Sequence, residues 1–148
     1  MTRRVPSWAV LGGALILLVA AGCGGGGGGG SGDLATEAQE VGAILDRIEA
    51  LGESTTTEQA FTTELDQIST EVQAAIEEVS DADAPEELEA EKAKLSNRLL
   101  ALRTQLSRAK GLATGGDLEA AQAAVGSFLS IGDIRSTIEN IESAPADG

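Results

Sequence analysis

The chain has 148 residues, enough for one domain, with a formal net charge of −14 at pH 7 and a pI of about 4.2. Such a polyanion is repelled by phosphate groups and anionic lipid headgroups, so we expect neither nucleic acid nor a bare membrane surface as its electrostatic partner. His and Tyr are absent, and the only Met and the only Trp are Met1 and Trp8. Nucleophilic triads usually need His as the base, haem ligation needs His, Met, Cys or Tyr, and structural zinc sites need several Cys or His ligands. The composition therefore argues against all three.

The N-terminal segment has the pattern of an export signal. Arg3 and Arg4 precede an uncharged, largely apolar run over residues 8–21. The run is shorter than the roughly 20 residues that a permanent transmembrane helix requires, and it suits the apolar region of a signal peptide. It leads into the sequence AAGC, residues 20–23, whose cysteine is the only one in the chain.

The AAGC end resembles the lipobox of bacterial lipoproteins, with Ala20 where Leu is more usual. The resemblance covers the first 23 residues only and implies cleavage of a signal peptide, residues 1–22, between Gly22 and Cys23. Cys23 would then carry a thioether-linked diacylglycerol at the mature N-terminus and anchor the protein to the outer face of the bacterial cell membrane. A short membrane span with an incidental cysteine is one alternative, and a twin-arginine export signal is another.

Seven consecutive glycines, residues 24–30, follow the cysteine, and Ser31 and Gly32 extend this segment. Glycine has no side chain to pack and the widest backbone freedom, so a segment of this kind behaves as a random coil. We expect residues 23–32 to be a lipidated cysteine with a tether that holds the folded part on the order of 15–20 Å from the lipid. The glycines also match a GxGxxG nucleotide motif, but no predicted strand precedes them.

The first two predicted helices follow the tether. Apolar residues recur at spacings of four and three, as one face of a helix requires. Asp33 is the predicted N-cap of the first helix, and Gly52 follows its end. Thr55, with Glu58 reaching back to it, indicates a capping box at the start of the second helix, which runs to about residue 80. The predicted core positions of the two helices are Leu34, Ala38, Val41, Leu45, Ile48, Phe61, Leu65, Ile68, Val72, Ala75 or Ile76, and Val79.

The third predicted helix follows the acidic turn SDADAPEE. Asp83 is its predicted cap, with Pro85 in the first turn and Glu86 at the third position. The same turn makes a poor calcium loop, because Pro85 stands where a third ligand belongs and Glu86 stands where the loop needs glycine. The helix is expected to end between residues 111 and 116. Its predicted core positions are Leu88, Leu95, Leu99, Leu102, Leu106 and Ala109.

The fourth predicted helix starts at Asp117. Gly132 is expected to bend it, and Asp133 to restart a short amphipathic piece. Residues 33–142 thus form the predicted helical part, and residues 143–148 a disordered tail. The remaining core positions are Leu118, Ala121, Val125, Phe128, Ile134, Ile138 and Ile141.

The helical pattern predicts an all-α fold, since no segment alternates with period two. Apolar spacings close to 3.5 favour nearly antiparallel packing, and short connections place sequential helices side by side. These features predict an antiparallel up-down four-helix bundle. A three-helix bundle with a loosely attached C-terminal segment is the alternative.

Charge is unevenly distributed along the helical part. Residues 33–91 contain 18 acids and one base, Arg47, whereas residues 92–110 contain six bases and no acid. We expect the basic run to face the acidic second helix, with Glu71 near Arg98 and Glu64 near Arg103. Docking of an acidic partner on the basic run is the alternative.

The sequence predicts a structural or protein-interaction lipoprotein, with an unknown protein partner, no catalytic residue, no cofactor and no metal site. A carboxylate pair is the enzymatic option that the composition leaves open. Phe61 and Phe128 fall at core-periodic positions, which argues against sugar stacking. The alternative function is a ligand-binding module that holds a small molecule or lipid between its helices, and a large apolar cavity would favour it.

Overall fold

The computed structural model of the chain describes residues 33–54 and 56–144, which form α-helices, one 3₁₀ turn and no β-strand. The helices are α1 (Leu34–Glu53), α2 (Glu58–Asp81), α3 (Glu89–Thr114), α4 (Leu118–Gly126) and α5 (Ser130–Glu142), and the 3₁₀ turn Glu86–Leu88 leads into α3. α2 packs between α1 and α3, while α4 and α5 together close the bundle against α1 and α3. The predicted up-down four-helix bundle is confirmed, with its fourth helix in two pieces.

The core consists of one apolar stripe from each helix. Nearly all predicted core positions are buried, and Ala75 rather than Ile76 belongs to the core of α2. Leu88, Leu118 and Phe128 are only partly buried against the core, contrary to the prediction. The largest fully buried side chains are Phe61, Leu34, Leu45, Ile48, Leu65, Ile68, Leu95, Leu99, Leu102, Leu106, Ile134 and Val41.

The C-terminal helix belongs to the bundle. Ile134, Ile138 and Ile141 are buried, and α5 contacts both α1 and α3. Thr137 is also buried, and its hydroxyl donates to the carbonyl of Asp133 at 2.9 Å. The alternative of a three-helix bundle with a loose C-terminal segment is therefore wrong for this chain.

The fourth helix breaks at residues 127–129, earlier than predicted. Gly132 lies inside α5, and Asp133 lies in the first turn of that helix. Two features weaken the helix at the actual break. Gly126 is a poor helix former, and the hydroxyl of Ser127 donates to the carbonyl of Ala124 at 3.1 Å, where it competes with the backbone.

Close backbone contact joins α4 to the end of α1. A Cβ atom added at Gly52 would lie 3.1 Å from the backbone nitrogen of Gly126. Only a glycine lets the two helices approach this closely without a shift of the backbone. The side-chain amide of Gln122 adds a hydrogen bond to the carbonyl of Ser54 at 2.8 Å. The helix that ends at Gly126 is thus fixed to α1 just before the break.

Helix caps follow the sequence at two of the four predicted starts. Asp33 caps α1 and Asp117 caps α4, each through a side-chain oxygen that accepts a backbone N–H. Thr57 caps α2 by accepting from the N–H of Ala60 at 3.3 Å, so the predicted cap at Thr55, which lies outside the described residues, is wrong. Each of the three consecutive threonines carries a hydroxyl of the kind that caps helices, and Thr57, which directly precedes the helix, is the one that forms the cap.

The start of the third helix also differs from the prediction. Pro85 precedes the 3₁₀ turn, and no side chain caps that turn. Asp83 instead accepts the N–H of Leu34 at its backbone carbonyl, at 3.3 Å. The end of α3 lies inside the predicted window, where Gly116 has φ of +85°, a conformation that glycine adopts without strain.

Adjacent leucines of α3 provide a direct test of the core. Leu99 is fully buried, and Leu100 is 39% exposed. Leu99→Ala should lower the free energy of unfolding by about 2–5 kcal/mol because it leaves a cavity. Leu100→Ala, with the same change in helix propensity, should lower it by well under about 1 kcal/mol. Urea denaturation followed by circular dichroism measures both, and equal losses would contradict the helix orientation.

Candidate functional site

The predicted lipidation and cleavage residues, Cys23 and Gly22, lie outside the described residues. The same holds for the glycine tether. The candidate functional features of the described part are therefore its charged side chains and its surface grooves. The charged side chains and the grooves both lie at positions beside the apolar stripe of each helix.

Arg47 joins α1 to α2. Its guanidinium donates to Glu64 through one terminal nitrogen and to Glu71 through the other. The two glutamates lie seven residues apart, so they face the same side of α2. The predicted pairs of Glu71 with Arg98 and of Glu64 with Arg103 are wrong, because the single base of the acidic half binds both glutamates. Hydrogen bonds to Glu64 and Glu71 raise the pKa of Arg47.

Three bases of α3 divide between two neighbouring helices. Arg103 and Lys110 bind α2 as predicted, although their acceptors are Gln73 and Asp66. Arg98 binds α5 instead, where it donates to the carbonyl of Asp133 and the hydroxyl of Thr137. Positions 98 and 103 differ by about 140° around a helix, so their side chains cannot both face α2.

Arg135 on α5 forms the matching connection to α1. Its guanidinium donates to Asp46 and to Glu49, each at 2.7 Å. Hydrogen bonds to these carboxylates raise the pKa of Arg135. Two arginines thus bridge α1 to its neighbours on either side, and each binds a pair of acids.

A cluster of three carboxylates lies between α1 and α2. One oxygen each from Glu37, Glu40 and Glu78 lies within 4.8 Å of the others. Burial, followed by the charges of Glu40 and Glu78, raises the pKa of Glu37. Sequence reasoning missed this cluster, because Glu78 meets Glu37 and Glu40 only through the packing of α2 against α1. Exposed acidic groups of this kind are common without a bound ion, so we assign no metal to them.

The acidic turn between α2 and α3 holds three elements together. The carbonyl of Ala82 accepts from the ammonium group of Lys92 at 2.7 Å, and the carbonyl of Asp83 accepts from the backbone of Leu34. Two backbone oxygens of this turn are thus engaged by α3 and by the start of α1. The contacts assign the turn a structural role at the junction of these helices.

Three grooves on the bundle are open to solvent, and each is lined by at least one charged side chain. A groove of about 440 Å³ between α1 and α5 includes Asp46 and Arg135. A second groove, of about 480 Å³ between α1 and α2, includes Arg47 and Glu64. A third, of about 320 Å³, lies between α3 and the end of α4 and is lined by Gln105, Arg108, Leu112, Ala124, Ser127 and Phe128.

Among residues 33–54 and 56–144, no helix combines the length and the hydropathy that crossing a bilayer requires. The chain matches no family model, no curated protein and no solved structure. Its function must therefore be inferred from its own residues and their arrangement.

The Arg47 bridge should contribute measurably to stability. Arg47→Gln leaves two glutamates of α2 without their cation, and we expect a loss of about 1 kcal/mol at low salt, because the three side chains are each about two-fifths exposed. Lys94→Gln removes the same charge from a pair within α3 and should change stability less. Urea denaturation at low and high salt measures both, and added salt should narrow the difference. Equal losses for the two variants would contradict the bridge.

The carboxylate cluster should make stability depend on pH. Because the pKa of Glu37 is raised in the folded protein, folding favours the protonated form of this carboxyl. The stability gained from protonation is fully present below the ordinary pKa of 4.5 and is lost as pH rises through the folded-state pKa. Glu37→Gln should therefore raise the melting temperature at pH 7 and leave it unchanged well below pH 4.5.

The control for this experiment is Glu77→Gln, which removes one charge from α2 outside the cluster. Thermal melting followed by circular dichroism across the pH range compares both variants with wild type. Identical pH profiles for the two variants would show that Glu37 experiences only the general negative charge of the protein.

Proposed function

We propose that the protein is a small bacterial lipoprotein, anchored by lipid on Cys23 to the outer face of the cell membrane, with a structural or protein-interaction role and no catalysis. The observation that carries this proposal is the sequence AAGC after an uncharged apolar run, with a basic start before it and a glycine tether after it. The described helical unit begins with Leu34, two residues beyond the tether. Anchor, spacer and folded unit thus follow one another along the chain.

The chemistry of the described residues supports an interaction role over catalysis. Arg47 and Arg135 bind carboxylates of neighbouring helices and so hold the bundle together. The carboxylate cluster at Glu37 lies at the surface of a helix pair, and none of its three glutamates lines the three grooves described above. An acidic helical surface at the end of a tether can meet partners at the membrane, where tethering raises the effective concentration.

The alternative, a module that holds a ligand between its helices, has less support. Phe61, Leu65 and Leu99 are fully buried side chains of the bundle core. The grooves between α1 and α5 and between α1 and α2 are open to solvent and carry charged groups. An apolar ligand gains most from a dry, enclosed site, which these open grooves do not offer.

Lipidation provides the test of the proposal. Mass spectrometry of the wild-type protein extracted from membranes should show an N-terminus at acylated Cys23. Cys23→Ser removes the sulfur that carries the lipid, so this variant should remain an uncut precursor. Ser31→Ala, which alters the tether and keeps the cysteine, should be processed like wild type. Membrane-extracted protein with an intact Met1 terminus would refute the proposal.

A further inference from the structure

Arg108 differs from the other cations of the described residues. It is exposed and makes no hydrogen bond or ion pair with any residue in 33–54 or 56–144. Each of the other cations in that part donates to an acceptor on another residue; they are Arg47, Lys92, Lys94, Arg98, Arg103, Lys110 and Arg135. In a protein with a net charge of −14, a cation without an internal acceptor is available to an outside anion.

Arg108 lines the groove between α3 and the end of α4, which we call the Arg108 groove. Phe128 lines the same groove and is only partly buried. The next residue, Leu129, is 88% exposed, more than any other large apolar residue of the described part. The groove therefore combines an aromatic ring with an unpaired guanidinium, and an exposed leucine directly follows the ring along the chain.

The walls of this groove contain no acid. The sequence carries no Asp or Glu from residue 92 to residue 116 on the α3 side, and none from residue 120 to residue 132 on the other side. A carboxylate that entered the groove would meet Arg108 without adjacent negative charge from either wall. Elsewhere the acids of α1 and α2 would repel it.

From this geometry we infer that the Arg108 groove docks a peptide segment of a protein partner in which a carboxylate lies next to a large apolar side chain. The guanidinium of Arg108 would bind the carboxylate through paired hydrogen bonds, and Phe128 with Leu129 would cover the apolar side chain. Arginine and aromatic residues commonly supply most of the energy of such contacts. A groove of about 320 Å³ suits a few side chains of a short segment.

This inference rests on the proposed function and names the chemistry of the partner. A peptide is favoured over the two other possible occupants by charge. The net charge of −14 repels an anionic bilayer, and it equally repels a second copy of the chain. A single peptide segment brings only local charge, which Arg108 can neutralise.

The experiment selects short random peptides, displayed as a library, on the mature-length chain carrying Cys23→Ser. Selected peptides should combine Asp or Glu with a neighbouring Leu, Ile or Phe. Arg108→Glu and Leu129→Ser should each weaken their binding about tenfold, and Arg108→Lys should lie between Arg108→Glu and wild type, because an ammonium keeps the charge but cannot make the paired hydrogen bonds. Arg103→Glu, which makes the same charge change on the α2 side, should bind like wild type.

Two further measurements keep the outcome clear. Circular dichroism should show unchanged melting for the Arg108 and Leu129 variants, because neither side chain is buried. Sedimentation of the chain alone, and of the chain with vesicles of equal phosphatidylglycerol and phosphatidylethanolamine, tests the other occupants.

The inference is overturned by three results. The first is that no selected peptide depends on both Arg108 and Leu129. The second is self-association that Leu129→Ser abolishes, and the third is vesicle binding that Leu129→Ser abolishes. None of these results bears on lipidation, because the chain used lacks the lipid-carrying sulfur and the N-terminal mass is measured separately.

Discussion

Each helix of the bundle buries one narrow stripe of aliphatic side chains, and the positions beside that stripe are where charges from neighbouring helices meet. Arg47 precedes the buried Ile48, and its acceptors Glu64 and Glu71 precede the buried Leu65 and Val72. Once the stripes are packed, these flanking groups have a fixed distance to their neighbours. The apolar spacing thus determines which charges can pair as well as which residues form the core.

The bundle must fold with many more acids than bases, and the bases are placed accordingly. Arg47 and Arg135 each bind two carboxylates, a geometry that the planar guanidinium supports better than an ammonium group does. Where α1 and α2 meet without a cation, three carboxylates gather and the pKa of Glu37 rises. Salt screens the arginine–carboxylate pairs, and pH sets the charge of the carboxylate cluster. The stability of the protein should therefore depend on both.

The break in the fourth helix differs from these charged contacts, because the group that it exposes is apolar. At this break the side chain of Leu129 is exposed, whereas Phe128 packs partly against the core. A continuous helix through this point would have a different rotation beyond the break. The short interruption lets α4 contact α1 closely at Gly52 while α5 still buries Ile134, Ile138 and Ile141. The same break leaves the side chain of Leu129 exposed, directly after Phe128 in the groove of Arg108.

The sequence by itself determined the number of helices, most core positions and the caps at Asp33 and Asp117, because these depend on contacts within a few residues along the chain. It also carried the lipobox resemblance on which the proposed function depends. It did not predict the partners of Arg47 and Arg98, the carboxylate cluster at Glu37 or the position of the break before α5. Those features depend on how far each helix is rotated and shifted against its neighbours. Rotation and shift are decided by the simultaneous packing of the whole core, so only the tertiary structure could decide them.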